Sequence, residues 1–328
     1  MKKLINKKNI ISVILMISIY ALITFAVEND MLSRHYQSLL VPIGINIILA
    51  VSLNLTVGFL GELTLGHAGF MSVGAYAGCL FTIALDLPVA LEFPLALLVG
   101  GLTAALFGII IGVPALRLKG DYLAIVTLAF GEIIRSVVTN LEFTGGAGGL
   151  KGHTKTTNYT IVFVVIVITI IVISNLVKSK QGRAICAIRD NVIAAETAGI
   201  NIVYHKLLAF VVAAFFAGIA GVLYGHNLSI VAPDKFDFNR SIEILVIVVL
   251  GGMGSIKGSV ISATIITLLP EVLRDLADYR MLIYAVVLIV MMLLNSSPKF
   301  NEMKANFFAQ FKMKKVRRKE GEADAIRS

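Results

Sequence analysis

The sequence predicts an all-α polytopic membrane protein of about eight to ten transmembrane helices, with both termini in the cytoplasm. Three observations carry that expectation. The 328 residues are 57% hydrophobic and only 15% charged, with a mean hydropathy of +0.88. A water-soluble domain needs more charge than this to cover its surface. Apolar runs of roughly 18 to 22 residues recur along the chain, each able to cross about 30 Å of hydrocarbon. Finally, most of the 29 Lys and Arg fall on one side of an alternating topology, as the positive-inside bias requires. Residues 1–298 are expected to form the membrane domain and residues 299–328, which include KMKKVRRKE, a basic cytoplasmic tail against the lipid surface.

Taken in order, the first span covers residues 9–27 behind Lys2, Lys3, Lys7 and Lys8, which place the N-terminus inside. It has no clear small-residue cleavage site and reads as a retained helix. The second covers residues 38–57 and contains Asn46 and Asn54, amides suited to interhelical hydrogen bonds. GELTLGHAGFMSVGAYAG follows at 61–78, where Gly66, Gly69, Gly74 and Gly78 with Ala68, Ala75 and Ala77 offer a small-residue face for close helix approach. Its glycine-rich start, Gly61 to His67, also fits an irregular entry lining a cavity. The fourth span is 93–113, with Pro94 in its first turn and Pro114 at its end. Arg117 and Lys119 lead into the fifth, 122–138, where Glu132 and Arg135 share a helix face near its outer end and can pair. Residues 140–158 form the longest external segment, turn-rich through TGGAGGLKG. Spans six and seven are 159–177 and 207–224. Two short spans, 241–251 and 259–270, meet at Gly251, Gly252, Gly254 and Gly258, as a re-entrant hairpin or as two tilted helices. The tenth span is 281–294.

Several function classes are excluded. The net charge of +9 is a topology signal, because no helix-turn-helix, zinc module or basic stripe with interleaved aromatics accompanies it, and no nucleic-acid partner is expected. Cys79 lies within a span and Cys186 on a loop, so no disulfide is expected, and no Cys/His cluster has metal-ligand spacing. The glycines of 144–152 lack the Gly-Lys-Ser/Thr ending of a phosphate-cradling loop. Any ATPase must therefore be another chain.

The one long polar interruption is residues 178–206, carrying Lys178, Lys180, Arg183, Arg189 and Lys206 against Asp190 and Glu196. Asp190 or Asn191 suits a helix N-cap and Gly199 a left-handed stop about two turns later. Val192 and Ala195 are expected on one face, continued upstream by Ile185 and Ile188. A short amphipathic helix on a cytoplasmic loop is a docking surface; an ordinary connector with a helical turn is the plain alternative.

Within that loop GRAICAIRDNVIAAETAGINIVYHKLLAF resembles the cytoplasmic coupling loop of ATP-binding cassette (ABC) importer permeases for branched-chain amino acids, the LivM/LivH group. The positions carrying the resemblance include Gly182, Arg183, Arg189, Ala194, Ala195, Glu196 and Gly199. The general Glu-Ala-Ala…Gly order is only partly present, because the run here is Ala194, Ala195, Glu196, Thr197, Ala198, Gly199. GELTLGHAGF is similar to a second motif of the family, with Thr64 in place of Ser; RLKGDYLAIVTLAFGEI and GGMGSIKG are a third and a fourth.

The resemblance implies a transport subunit, not an enzyme. It implies a homologous second permease subunit, two cytoplasmic ATPases and an extracytoplasmic binding protein, with no cofactor on this chain and ATP on the partners. It also implies the bacterial plasma membrane as location and apolar amino acids as cargo. The absence of Trp fits a sugar cargo less well, and no charge is expected deep in the membrane to hold an ionic substrate. A urea or short-amide importer is the alternative within the family's reach. An ion-coupled secondary transporter would need ionisable groups at mid-membrane, and a membrane enzyme a catalytic cluster at one depth.

Overall fold

The computed structural model describes residues 18, 20–22, 24–29, 33–85, 88–118, 120–273, 285–286 and 289. The chain divides into two compact units, residues 1–268 and 269–328. Of the second, the described residues are helical or at a helix end, and they begin with the last turn of the helix that closes the first. Most of the first and tenth predicted spans, Lys119 and the tail at 299–328 lie outside the described residues.

In chain order the first unit comprises α1 (Arg34–Asn54), prolonged by a π-helical turn at Leu55–Leu60, then α2 (His67–Ala84), α3 (Val89–Ala115) and α4 (Asp121–Asn140). It continues with α5 (Tyr159–Lys178), α6 (Lys180–Asp190), α7 (Val192–Thr197), α8 (Ile202–Gly225), α9 (Phe238–Gly251) and α10 (Ile256–Val272). Among the described residues six helical stretches are long and apolar enough to cross a membrane: Arg34–Leu60, α2, α3, α4, α5 and α8. The α9 helix, with 14 residues, and α10, with 17, are shorter. At 1.5 Å per residue they reach about 21 Å and about 26 Å, less than a hydrocarbon core.

Side chains that bond free amides set several of the helix starts. Asn158, Ser179, Asn191, Asn201 and Asp237 each accept a hydrogen bond from the amide three residues on. The α3 helix starts differently from the expectation. Pro88, with its fixed φ of −56°, is the N-cap residue and the helix begins at Val89, so Pro94 falls in the second turn, beyond the first.

The centre of the bundle is the contact of α8 with α3, α2 and α1. It is close because Gly74, Gly100 and Gly218 stack at the crossing. A methyl on Gly100 would stand 2.7 Å from the Gly74 carbonyl oxygen, and one on Gly218 would stand 2.5 Å from that of Gly100. Backbones this close gain dispersion contacts that larger residues forbid. Tyr20 packs its ring on Phe163 of α5 at a centroid distance of 5.0 Å.

Candidate functional site

The polar loop is two helices, α6 and α7, set at an angle by Asn191. The Asn191 backbone is extended and its Oδ1 accepts from the Ala194 amide at 3.0 Å. The α7 helix ends in a Schellman arrangement: Gly199 adopts φ +81°, its amide bonds the Glu196 carbonyl, and the Ile200 amide bonds that of Ala195. Of the two candidate caps Asn191 is the one used; Asp190 ends α6 and pairs with Arg189 at 2.9 Å.

Ile185, Ile188 and Ala195 are buried against Leu55, Phe59 and Leu60 of the π turn and Ala209 of α8. Each large aliphatic side chain so buried contributes about 1.5–3 kcal/mol. Val192 departs from the expected stripe and is exposed. Val192 is the first residue of α7, whereas Ala195, three further along the same expected stripe, is buried.

The loop is also tied to the core by two charged side chains. The guanidinium of Arg189 donates through Nη1 to the Gly58 carbonyl oxygen at 3.2 Å. Gly58 lies in the π turn, where backbone carbonyls are offset from the usual i+4 donors. The second tie joins Lys206, in the first turns of α8, to Glu62, just past the π turn. Their side chains are only 7% and 14% exposed. A buried pair of this kind compensates each charge, and either left alone would be costly.

The tip of the α9–α10 hairpin meets the π turn beside Arg189: a methyl on Gly254 would lie 3.4 Å from the Gly58 carbonyl oxygen and 3.5 Å from Arg189 Nη1. Asn54 Oδ1 accepts from the Gly254 amide at 2.8 Å, and Asn54 Nδ2 donates to Ser259 Oγ at 2.8 Å. The hairpin itself closes on small residues, with a methyl on Gly251 falling 2.6 Å from the Gly258 carbonyl. Higher on α1, Asn46 Nδ2 donates to Thr267 Oγ1 of α10 at 2.8 Å, while its Oδ1 accepts from Arg240 Nη2 of α9 at 2.5 Å. Arg240 also pairs with Glu243 at 2.6 Å. The sequence places Glu243 near the outer end of its span. In the structure α9 runs beside the middle of α1, and Arg240 reaches Asn46 at mid-helix.

The structure thus brings Arg189, Gly61, Gly254, Asn54 and Lys206 to one end of α1, together with Gly58 and Glu62, which no sequence motif singles out. Gly61, at φ +79°, faces Arg189, where a methyl would lie 2.7 Å from Cγ. Gly182 is buried at the start of α6, whereas Arg183, Ala194, Glu196 and Gly199 line the exposed side of the loop. Gly66 and Gly69 pack on α4, and Gly74 on α8. His67 is buried with Nε2 2.9 Å from Ser52 Oγ, and Gly252 turns the hairpin at φ +88°. Glu132 and Arg135 pair at 2.7 Å. Cys79 and Cys186 are both free. Among the described residues no cluster of His, Cys, Asp or Glu could hold a metal ion.

Apolar helices packed around glycine crossings, six of those described long enough to span a bilayer, make the chain a multi-pass membrane protein. Residues 35–294 match the family described as branched-chain amino acid transport system / permease component, and the chain belongs to that family. It is accordingly a transport subunit and not an enzyme. The high-affinity branched-chain amino acid permease protein LivM of Salmonella typhimurium is 35% identical over 298 residues, 80% of this chain and 69% of the relative. LivM of Escherichia coli is 36% identical over 284 residues, 76% of this chain and 66% of the relative, so the chain spans about two thirds of their length. The ribose import permease protein RbsC of Haemophilus influenzae is 26% identical over 318 residues, covering 88% of this chain and 93% of the relative. No solved structure matches the chain.

Proposed function

We propose that this chain is one of two homologous permease subunits of an ABC importer that moves leucine, isoleucine and valine across a bacterial plasma membrane. ATP is bound and hydrolysed by two cytoplasmic ATPase subunits, and an extracytoplasmic binding protein delivers the cargo. The observation that carries this reading is the family match over residues 35–294, supported by the LivM relatives at 35% and 36% identity. The loop at 178–206 is the ATPase-coupling segment in this reading. Arg189 on Gly58, Lys206 on Glu62 and the apolar face under Ile185 and Ile188 give it a stiff attachment, so its displacement is passed to α1 and α8. Alternation between outward-open and inward-open states is then a population shift that nucleotide-dependent docking biases.

The test is reconstitution of this chain with its partner permease, ATPases and binding protein in liposomes. ATP-dependent leucine uptake, competed by isoleucine and valine, is the expected result. Ribose or urea uptake without leucine transport would refute the amino-acid cargo while leaving the permease assignment in place.

A further inference from the structure

From the placement of one ion pair we infer that Arg240 and Glu243 bind the two charged ends of an α-amino-acid zwitterion part-way through the membrane, Arg240 taking the carboxylate and Glu243 the ammonium. This inference rests on the amino-acid reading above and assigns residues to it.

The first ground is depth. Arg240 bonds Asn46, which lies 12 residues into the 27-residue stretch Arg34–Leu60. That is about 18 Å from one end and about 21 Å from the other at the helical rise. The α9 helix, too short to cross, brings the pair there, while the hairpin tip sits at the π turn, anchored by Asn54 and Gly254. Ionisable groups at such a depth are costly and face the bundle interior or a water-filled space when they are retained.

The second ground is accessibility combined with chemistry. The Arg240 and Glu243 side chains keep 18% and 37% of their surface exposed, against 7% and 14% for the Lys206–Glu62 pair. A purely structural pair at mid-span gains by being sealed, and here Glu243 keeps more than a third of its side-chain surface exposed. The positive end of the helix is not what a ligand would meet, because Asp237 closes it by accepting from the Arg240 amide at 3.0 Å and from Asn239 at 2.7 Å. Binding therefore falls to the side chains one turn further along. The guanidinium has five N–H donors in a planar fork, and Glu243 and Asn46 engage Nη1 and Nη2. A carboxylate can be taken bidentately by that fork. With no cargo the pair neutralises itself; a zwitterion replaces each charge by a like one, so the local charge stays balanced throughout. A neutral cargo such as urea or a pentose offers neither charge and would leave the pair closed.

The experiment uses the complete reconstituted importer, radiolabelled leucine and thermal melting of each purified complex. Arg240→Gln and Glu243→Gln are each expected to lower leucine kcat by about 10- to 100-fold, the range of one lost charge-assisted hydrogen bond. Arg240→Lys, which keeps the charge and the fold but loses the fork, lowers it less. The exchange Arg240→Glu with Glu243→Arg restores the melting temperature but not uptake, because the carboxylate and ammonium sites are then reversed relative to the side-chain path. Recovery of uptake in the exchanged variant would make the pair structural and overturn the proposal, as would wild-type kcat in both Gln variants. A wild-type complex that carries urea or ribose and not leucine would fail at the earlier step, the amino-acid reading, and is recognised before any variant is measured.

Discussion

Lys206 and Glu62, separated by 144 positions in sequence, form an ion pair that is almost fully enclosed. It joins the end of the π turn to the first turns of α8, the helix that packs on α1, α2 and α3. Whatever moves the loop must move both ends of this pair together.

Removing one partner strands a charge. Lys206→Met or Glu62→Leu alone is expected to destabilise the protein by about 3–5 kcal/mol, while the double replacement recovers most of that loss. Thermal melting of the detergent-solubilised chain, arranged as a double-mutant cycle, measures it. Additive losses in the double variant would show that the two residues do not act as a pair.

A second expectation concerns backbone approach. A methyl on Gly58 would collide with the Asn54 side chain and the Gly254 amide nitrogen, and one on Gly258 with the Gly251 carbonyl oxygen. Gly58→Ala and Gly258→Ala should each cost about 1–3 kcal/mol through overpacking. Gly148 has open space at the same position, so Gly148→Ala should stay within about 0.5 kcal/mol of wild type. Equal losses at all three positions would contradict the close contact between α1 and the hairpin tip.

These two cases mark what local sequence reveals. Asn191 as cap and Gly199 as stop were readable because each acts on amides or carbonyls only a few residues away. Asn46 and Asn54 were readable as interhelical donors because an amide inside an apolar run needs a partner somewhere. The identity of those partners was not, since Gly254 lies 200 positions from Asn54. For the same reason Lys206 reads as one more loop charge, and nothing near Glu62 in sequence points to its partner. Glu243 read as peripheral because counting along its own span gives no hint that α9 lies beside the middle of α1. Val192 departs for another reason: it is the first residue of a six-residue helix, and only Ala195, one turn on, is held against the π turn.

The outer face of the loop supplies a test of coupling. Ile193 is 75% exposed, and Glu196 and Gly199 lie on the same open side of α7. Ile193→Asp or Glu196→Lys should leave the melting temperature nearly unchanged, as surface substitutions do. Both should reduce ATPase co-purification and leucine uptake by about fivefold or more, as removal of a central interface contact does. Gly199→Val adds backbone strain of about 1 kcal/mol or more at φ +81° and should weaken the same readouts. Normal uptake in all three would reduce the loop to a connector.

Orientation can be decided with two cysteines. Thr154 and Thr197 are both exposed, and the 20-residue α5 together with α6 stands between them in the chain. An apolar helix of this length that crosses once must leave them on opposite sides. Lys178, Lys180, Arg183 and Arg189 cluster near Thr197, so the positive-inside bias assigns that side to the cytoplasm and Thr154 to the exterior. With Cys79 and Cys186 first replaced, Thr154→Cys should react with a membrane-impermeant maleimide on intact cells. Thr197→Cys should react only after the membrane is opened. Labelling of Thr197→Cys from outside would invert the topology and place the loop beyond the reach of any cytoplasmic ATPase. Labelling of both from one side would mean that α5 does not span, and the coupling reading would fall with it.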